Sequence, residues 1–502
     1  MSFDQFQKEP WKFSHRAYDE SVFNIRPAPE FSTAEVAVAS LYRSSGFGDY
    51  KENDVPRAGR ELDLLSSAAR SKPDIPGRIR ADTWHSILHG VLESPKQPNQ
   101  SSKRFLSLNP LVPNVAIYSG SARLAGNSWN PGALVKRMIQ LGSANTQHGE
   151  LVWQHLHEAL SVGPNDDIWA RWLQAEFSIR HQTKTKWGPT NLATLDGLPE
   201  SEKATLRYPA KQFVKDLEAI IQAKDSMTRR QWISLLESVV RLGTVSHMLW
   251  LCRVNDRLWR AIAKILGQGE GAVPSSEEKL RESIVMGERR TLSFGKAATP
   301  IIKDYASRYL VARLGLNLVL WALNESNVEV EKLQSSGDLW NFLEIVKTHS
   351  SMLCSKNIID SFLQLQDNET RTISCKKGIG SNLVEFGRHT LGQRQTTNDS
   401  LRGYDQGYFL HRRGEARNSP WVLTLGPVAV LAVVHCCLME VNGPRSVQRL
   451  SEHLSCYGIE IDLEGINSSD LGRHLRMLGL VLDSPDAESG MLLIQPFANQ
   501  IR

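Results

Sequence analysis

A long succession of amphipathic helical segments joined by short loops is the feature that most constrains the fold of this chain. Within these segments apolar residues recur three and four positions apart, which places them on one face of a helix. The segments are Gly132 to Leu141, Gly149 to Val162, Asp166 to His181, Pro209 to Ala223, Thr228 to Leu242, Val245 to Leu266, Thr299 to Ala322 and Leu339 to His349. This pattern predicts a mainly α-helical body, either a multi-helix bundle or an α-solenoid without a fixed repeat period.

The length of the chain predicts more than one domain. A chain of 502 residues exceeds what a single hydrophobic core usually supports. Changes in composition divide it into a helical and irregular N-terminal region over 1–104, a helical body over 105–355, a basic connector over 356–419 and a C-terminal domain over 420–502.

Composition and charge favour a cytoplasmic globular protein. The chain is 41% hydrophobic and 23% charged, and its net charge of +5 permits an anionic partner without requiring one. Its six cysteines form no CxxC pair, which is typical of a reducing compartment. The uncharged stretch from Trp421 to Met439 approaches the length of a membrane span, but Gly426-Pro427 divides it into a strand and a helix start. We therefore expect a buried helix there and no membrane partner.

The segment from Arg371 to Arg417 is unusually basic. It contains nine Lys or Arg residues against four acidic residues, and glycine and aromatic residues are interleaved with them. Cations and aromatic faces on flexible backbone suit the binding of phosphate and base together, although a solvated basic linker has the same composition. The candidate DNA contacts in this segment are Lys376, Lys377, Arg388, Arg394, Arg402, Arg412 and Arg413.

The last eighty residues combine three predicted helices with a predicted hairpin. The first helix begins near Pro427, the second follows Ser446, and the third ends at Leu478 before Gly479. Leu480 to Leu482 and Met491 to Ile494 then flank a turn-rich segment, which predicts a β-hairpin. On the third helix, Leu471, Leu475 and Leu478 share one narrow arc, whereas Ser469, Arg473, Arg476 and Met477 face the other way.

The run from Arg445 to Leu454, followed by Asp470 to Val481, resembles the winged helix-turn-helix superfamily over about a sixth of the chain. In that superfamily the helix before the wing usually enters the major groove. The resemblance therefore implies that Ser469, Arg473 and Arg476 read DNA. Two features depart from the pattern: the loop before the third helix is long, and the wing carries Asp483, Asp486 and Glu488. A winged helix that docks a protein is the alternative.

No catalytic motif with a specific spacing occurs in the chain. The glycines after Lys376-Lys377 lack the spacing of an ATP-binding loop, and neither an HExxH zinc motif nor a GxSxG nucleophile motif occurs. Glu277 and Glu278 have the residue type of a metal-dependent nuclease, yet their context predicts a capped surface helix. We expect no cofactor, no metal and no small-molecule substrate, with nuclease activity left open as an alternative.

These patterns predict a non-enzymatic DNA-binding subunit of a larger cytoplasmic assembly. Double-stranded DNA and other protein subunits are the expected partners. A bacterial anti-phage defence or genome-maintenance system would be a suitable setting, although no residue specifies it. The alternatives are a structural adaptor whose winged helix binds protein only and a metal-dependent nuclease.

Overall fold

The structure, a computed structural model, is 62% helical and 5% strand. It describes residues 3–25, 34–48, 74–95, 108–118, 130–181, 185–192, 209–269, 272–288, 290–396, 399–401, 403–414, 416, 418–483 and 491–497. The mainly α-helical class predicted from periodicity is therefore confirmed. A further helix predicted for Arg57 to Arg70 lies outside the described residues.

The described part of the chain is built mainly from successive helices. In chain order they are α1 (Phe3–Lys8), α2 (Arg16–Asp19), α3 (Ala34–Gly46), α4 (Ala81–Ile87), α5 (Pro113–Tyr118), α6 (Pro131–Gly142), α7 (Thr146–Leu160), α8 (Ile168–Arg180), α9 (Ala210–Gln222), α10 (Arg229–Ile265), α11 (Glu277–Leu280), α12 (Thr299–Glu325), α13 (Ser336–Thr348), α14 (Ser350–Ser355), α15 (Ile358–Asn368), α16 (Thr370–Ile373), α17 (Gly378–Leu391), α18 (Pro427–Leu438), α19 (Gln448–Ser455) and α20 (Asp470–Met477). Single π-helical turns continue α4 over Leu88–Leu92 and α11 over Arg281–Met286.

Among the described residues, the strands are short and form three small sheets. They are β1 (Leu292–Ser293), β2 (Leu410–Arg412), β3 (Trp421–Leu423), β4 (Arg445–Ser446), β5 (Ile459–Glu460), β6 (Val481–Asp483) and β7 (Met491–Leu493). β1 pairs in parallel with β5, and β2 pairs antiparallel with β3. The third sheet is antiparallel in the order β4-β7-β6, so the predicted C-terminal hairpin, β6 with β7, is confirmed.

Helix α10 is the central helix of the body. It spans 37 residues and is buried along most of its length, and it packs closely against α12, α9, α3 and α18. The sequence predicted two separate helices, Thr228 to Leu242 and Val245 to Leu266, with Gly243 between them. That prediction is wrong. Gly243 lies against the ring of Phe213 on α9, where an added Cβ would approach ring carbon Cδ2 to 2.3 Å. Gly243 therefore lets the two helices pack closely.

The segment from Val115 to Tyr118, whose sequence is also compatible with a strand, forms the end of α5. Pro113 occupies the first turn of this helix, where its missing N–H costs nothing.

Most tryptophans of the body helices are core residues. Trp153, Trp232, Trp250, Trp259 and Trp321 are all at most 6% exposed. Trp169 on α8 is 39% exposed and stacks on Trp172.

The C-terminal elements pack directly on the helical body. Helix α18 lies against α10 and α9, and it belongs to the same hydrophobic core as α12. Buried Asp216 on α9 joins α19 to the body, because its Oδ2 lies 2.9 Å from His453 Nε2 and accepts a 2.6 Å hydrogen bond from the Tyr457 hydroxyl. Gln212 donates to its other oxygen at 2.7 Å. Within the described ranges, no helix combines the length and apolarity that a membrane span requires.

The close approach at Gly243 gives a stability prediction. Gly243→Ala should lower the free energy of unfolding by about 1 to 3 kcal/mol, because the new methyl group overlaps the Phe213 ring. The matched control is Gly90→Ala, since Gly90 is exposed and has no atom within 4 Å of its added Cβ. Urea denaturation monitored by circular dichroism measures both. Equal stability of Gly243→Ala and the parent would contradict this account of the packing.

Candidate nucleic-acid interface

Helix α20 presents one buried face and one exposed face. Leu471 and Leu475 are at most 1% exposed, whereas Arg473 and Arg476 are exposed and Met477 is 76% exposed. The division predicted from helical spacing is therefore confirmed. The outward face of α20 is open to a partner.

The start of α20 is fixed by a cap and by a close backbone approach. Ser469 Oγ accepts from Gly472 N at 3.1 Å and donates to Ile466 O at 2.7 Å, so this side chain is the helix N-cap. At Gly472 an added Cβ would lie 2.1 Å from Ile466 O. Glycine therefore lets the turn over Ile466–Ser468 fold against α20. Ser469, predicted to read DNA, has its hydroxyl occupied by the cap.

The two arginines of α20 differ in how they are held. Arg473 Nη2 donates to Asp470 Oδ1 at 2.8 Å, and both side chains of this pair are more than half exposed. Arg476 makes more contacts: Nε donates to Asp483 at 3.2 Å, while its Nη atoms donate to the carbonyl and the side chain of Asn467. Arg476 thus ties the loop before α20 to strand β6, and Arg473 has more freedom to meet a ligand.

The first half of the basic segment is largely helical. Helix α17 covers Gly378 to Leu391, and its glycines serve packing: an added Cβ at Gly380 would lie 2.1 Å from Thr372 O. Lys376 and Lys377 are exposed just before this helix. Arg388 is half-buried, with Nη2 3.0 Å from His389 Nε2.

The lysines lie at the opposite end of α17 from the β2–β3 hairpin. The far end of the helix meets β2, where Gly392 bridges to Leu410. Fourteen helical residues at about 1.5 Å each make α17 about 21 Å long. The structure therefore does not gather the segment's cations on one surface.

Arg394 is buried and cannot contact DNA from its observed position. It is 7% exposed and forms an ion pair with Glu35 of α3, while its backbone N–H donates to Asp405 Oδ2 at 2.8 Å. Arg241 of α10 lies beside it and donates to both oxygens of Asp405, at 2.8 and 3.1 Å. Arg394 therefore belongs to a buried charge network, and its prediction as a DNA contact is not supported by its position.

The remaining predicted cations lie near β2. Arg412 is the last residue of β2, and Arg413 follows the strand. Arg412 is half-buried, whereas Arg413 is exposed. Arg402 lies outside the described residues. The aromatic rings expected to stack on bases include Phe386 and Phe409, and both are fully buried.

Carboxylates from distant parts of the sequence do converge, but they surround two arginines. Glu35, Glu237 and Asp405 surround Arg241 and Arg394. Across the described part of the chain, no group of three or more His, Cys, Asp or Glu side chains is placed to hold a metal ion.

Glu277 and Glu278 lie on the first turn of α11, as the capped-helix interpretation predicted. The cap is Ser276, whose Oγ accepts from Lys279 N at 3.2 Å. Glu277 also accepts a hydrogen bond from Ser336 at 3.3 Å. Both carboxylates therefore stabilise a helix start, where negative charge is favourable.

Comparisons of this chain with protein-family models, with curated proteins and with solved structures found no match. Two of the exposed candidate contacts, Arg473 on α20 and Arg413 after β2, lie on elements that meet at one small cavity, which Asp470 and Arg413 both line.

The buried network predicts a pH dependence of stability. Burial raises the pKa of Glu237 from its ordinary 4.5 to about 8; Arg241 opposes this shift, and Asp405 and Glu35 add to it. As pH rises, the unfolded chain therefore releases this proton before the folded chain does. The resulting stabilisation is complete below about pH 4.5 and is lost as pH rises towards 8.

Glu237→Gln should reduce this loss, since a neutral amide can still accept from Arg241 Nη1, which lies 3.0 Å from Glu237 Oε1. Between pH 5 and pH 8.5 the melting temperature of Glu237→Gln should fall by less than that of the parent, and the difference between the two decreases should be roughly 2 °C or more. The control is Glu344→Gln, whose carboxylate forms an exposed ion pair with Lys347. Parallel melting curves of parent and Glu237→Gln would contradict the assignment.

Proposed function

We propose that residues 427–493 form a winged helix and that this chain is a non-enzymatic, double-stranded-DNA-binding subunit of a larger assembly. The order of elements supports the fold: α18, β4, α19, β5, α20, β6 and β7, with β4 and β6 on either side of β7. Three helices followed by a hairpin is the order expected from the sequence resemblance. The strands β4 and β5 are additional, and β5 pairs with β1 of the body. The unit is docked on the body through α18 and Asp216, so α20 is held at a fixed position on the surface.

The observation that carries the proposal is the exposed cationic face of α20. A helix that enters the major groove needs one side free of packing and side chains that can reach base edges or phosphates. Arg473 meets both requirements, because its side chain is 65% exposed and its partner Asp470 is also exposed. Exposed ion pairs contribute about 0 to 1 kcal/mol, so exchange of Asp470 for a phosphate or a guanine edge costs little.

Protein docking through the same unit is the second candidate, and one observation favours it. Met477 is 76% exposed on α20 and Leu482 is 49% exposed on β6. Large apolar side chains at a surface are common at protein interfaces, and methionine adapts to varied partners. Asp483 beside them would weaken attraction to phosphate.

Substitution of Arg473 separates the two candidates. Arg473→Ala should weaken binding to labelled duplex DNA by about 1 to 3 kcal/mol and reduce any sequence preference. Fluorescence anisotropy at several salt concentrations measures this, and melting temperatures check folding. The matched control is Arg281→Ala, because Arg281 also faces a carboxylate three residues earlier on a helix, Glu278, far along the chain from α20.

Each outcome of this experiment favours one candidate. If the folded Arg473→Ala and Arg281→Ala variants both bind duplex DNA as tightly as the parent does, α20 is not the DNA-binding surface. Protein docking is then the favoured function of this unit. Incubation of the parent with Mg²⁺ or Mn²⁺ and DNA tests the nuclease alternative, and the proposal requires that no cleavage occurs.

A further inference from the structure

The helical body contributes residues beside the start of α20. A small cavity of about 60 Å³ lies where three segments meet, and Asp470, the first residue of α20, is among its lining residues. The β2–β3 hairpin supplies His411 and Arg413, and the turn after β1 supplies Phe294 and Gly295. His474 Nδ1 lies 3.1 Å from Leu425 O, which fixes α20 against the chain leaving β3.

The cavity lining shows which residues of the hairpin face this cavity. His411 and Arg413 are among the lining residues, whereas Arg412, which lies between them in the chain, is not. Arg413 N donates to Pro420 O at 2.9 Å, so the base of its side chain is held at the hairpin. Arg413 itself forms no ion pair with a described residue.

The turn after β1 presents Lys296 next to the cavity. Lys296 N donates to Ser293 O at 3.1 Å, and Gly295 adopts a φ of +76°, a conformation that glycine accepts without strain. The turn is held on both sides: Gly295 N donates to Leu423 O, and Leu423 N donates to Lys296 O. Lys296 is therefore an exposed lysine on fixed backbone, immediately after a cavity-lining residue.

We propose that Lys296 and Arg413 form a phosphate-contacting edge beside α20, so that the duplex site is shared between the body and the C-terminal unit. The ligand is the sugar-phosphate backbone flanking the groove that α20 enters, and this inference rests on the proposed function. Cations on fixed backbone next to a groove-binding helix position the duplex without reading its sequence. Lys296 lies about 170 residues before α20, outside every segment that sequence analysis assigned to DNA.

The test is the salt dependence of duplex binding by the double variant Lys296→Gln/Arg413→Gln in the full chain. Removal of one phosphate-binding cation should make the slope of log K against log salt shallower by about 0.9, so the double variant should show a slope shallower by about 1.8. Affinity should fall by a similar factor for unrelated duplex sequences, because binding to the DNA backbone carries no sequence information. The matched control is Lys264→Gln/Arg371→Gln, which removes two exposed cations from other elements, α10 and α16.

The outcomes distinguish this inference from the function on which it rests. If Arg473→Ala weakens duplex binding but Lys296→Gln/Arg413→Gln does not change it, the shared site is overturned. DNA binding by α20 is then still supported. Equal reductions in the double variant and in Lys264→Gln/Arg371→Gln would also overturn it, since net charge alone would then explain the effect. A parent chain that binds no duplex at all would instead overturn the proposed function. Melting temperatures confirm that all variants are folded.

Discussion

Burial of Arg241 is the constraint on which much of the architecture depends. Its side chain is fully buried on α10, so its charge must be matched within the protein. It donates to both oxygens of Asp405 and to the carbonyls of Thr390 and Gly392, at distances of 2.6 to 3.1 Å. These contacts hold the basic, glycine-rich segment on the body. Removal of either Arg241 or Asp405 would leave the charge of the other buried and uncompensated.

That folding also places the candidate interface. The chain enters β2 at Leu410, a few residues after Asp405, and β3 then leads into α18, so the hairpin and the C-terminal unit leave the body at fixed positions. Asp216 provides a second buried carboxylate, which holds α19 through His453 and Tyr457. Two interior carboxylates, together with the contact between His474 and the Leu425 carbonyl, therefore help to set where α20 lies relative to Arg413.

Local patterns in the sequence predicted the elements well, and long-range partners could not be predicted. Apolar spacing located the body helices and the buried face of α20, since that signal lies within each segment. It failed at Gly243, where the reason for glycine is the Phe213 ring on another helix. Basic composition placed Arg394 among the candidate DNA contacts, because no local pattern shows its ion-pair partner Glu35, which lies 359 residues away. No local sequence pattern marks Lys296 as a candidate DNA contact.

Pairing with a carboxylate does not by itself exclude a cation from binding DNA; what decides is the solvent exposure of the pair. Arg473 and Asp470 are both more than half exposed, so water already screens their attraction and a phosphate can replace the carboxylate at little cost. Arg394 and Glu35 are each at most 5% exposed at the side chain, and separation would leave a charge in the interior. Arg476 is intermediate, because it is partly exposed but bound to both Asp483 and Asn467. Exposure and pairing together therefore rank Arg473 and Arg413 ahead of Arg476 as contacts, and place Arg394 among the residues that hold the fold.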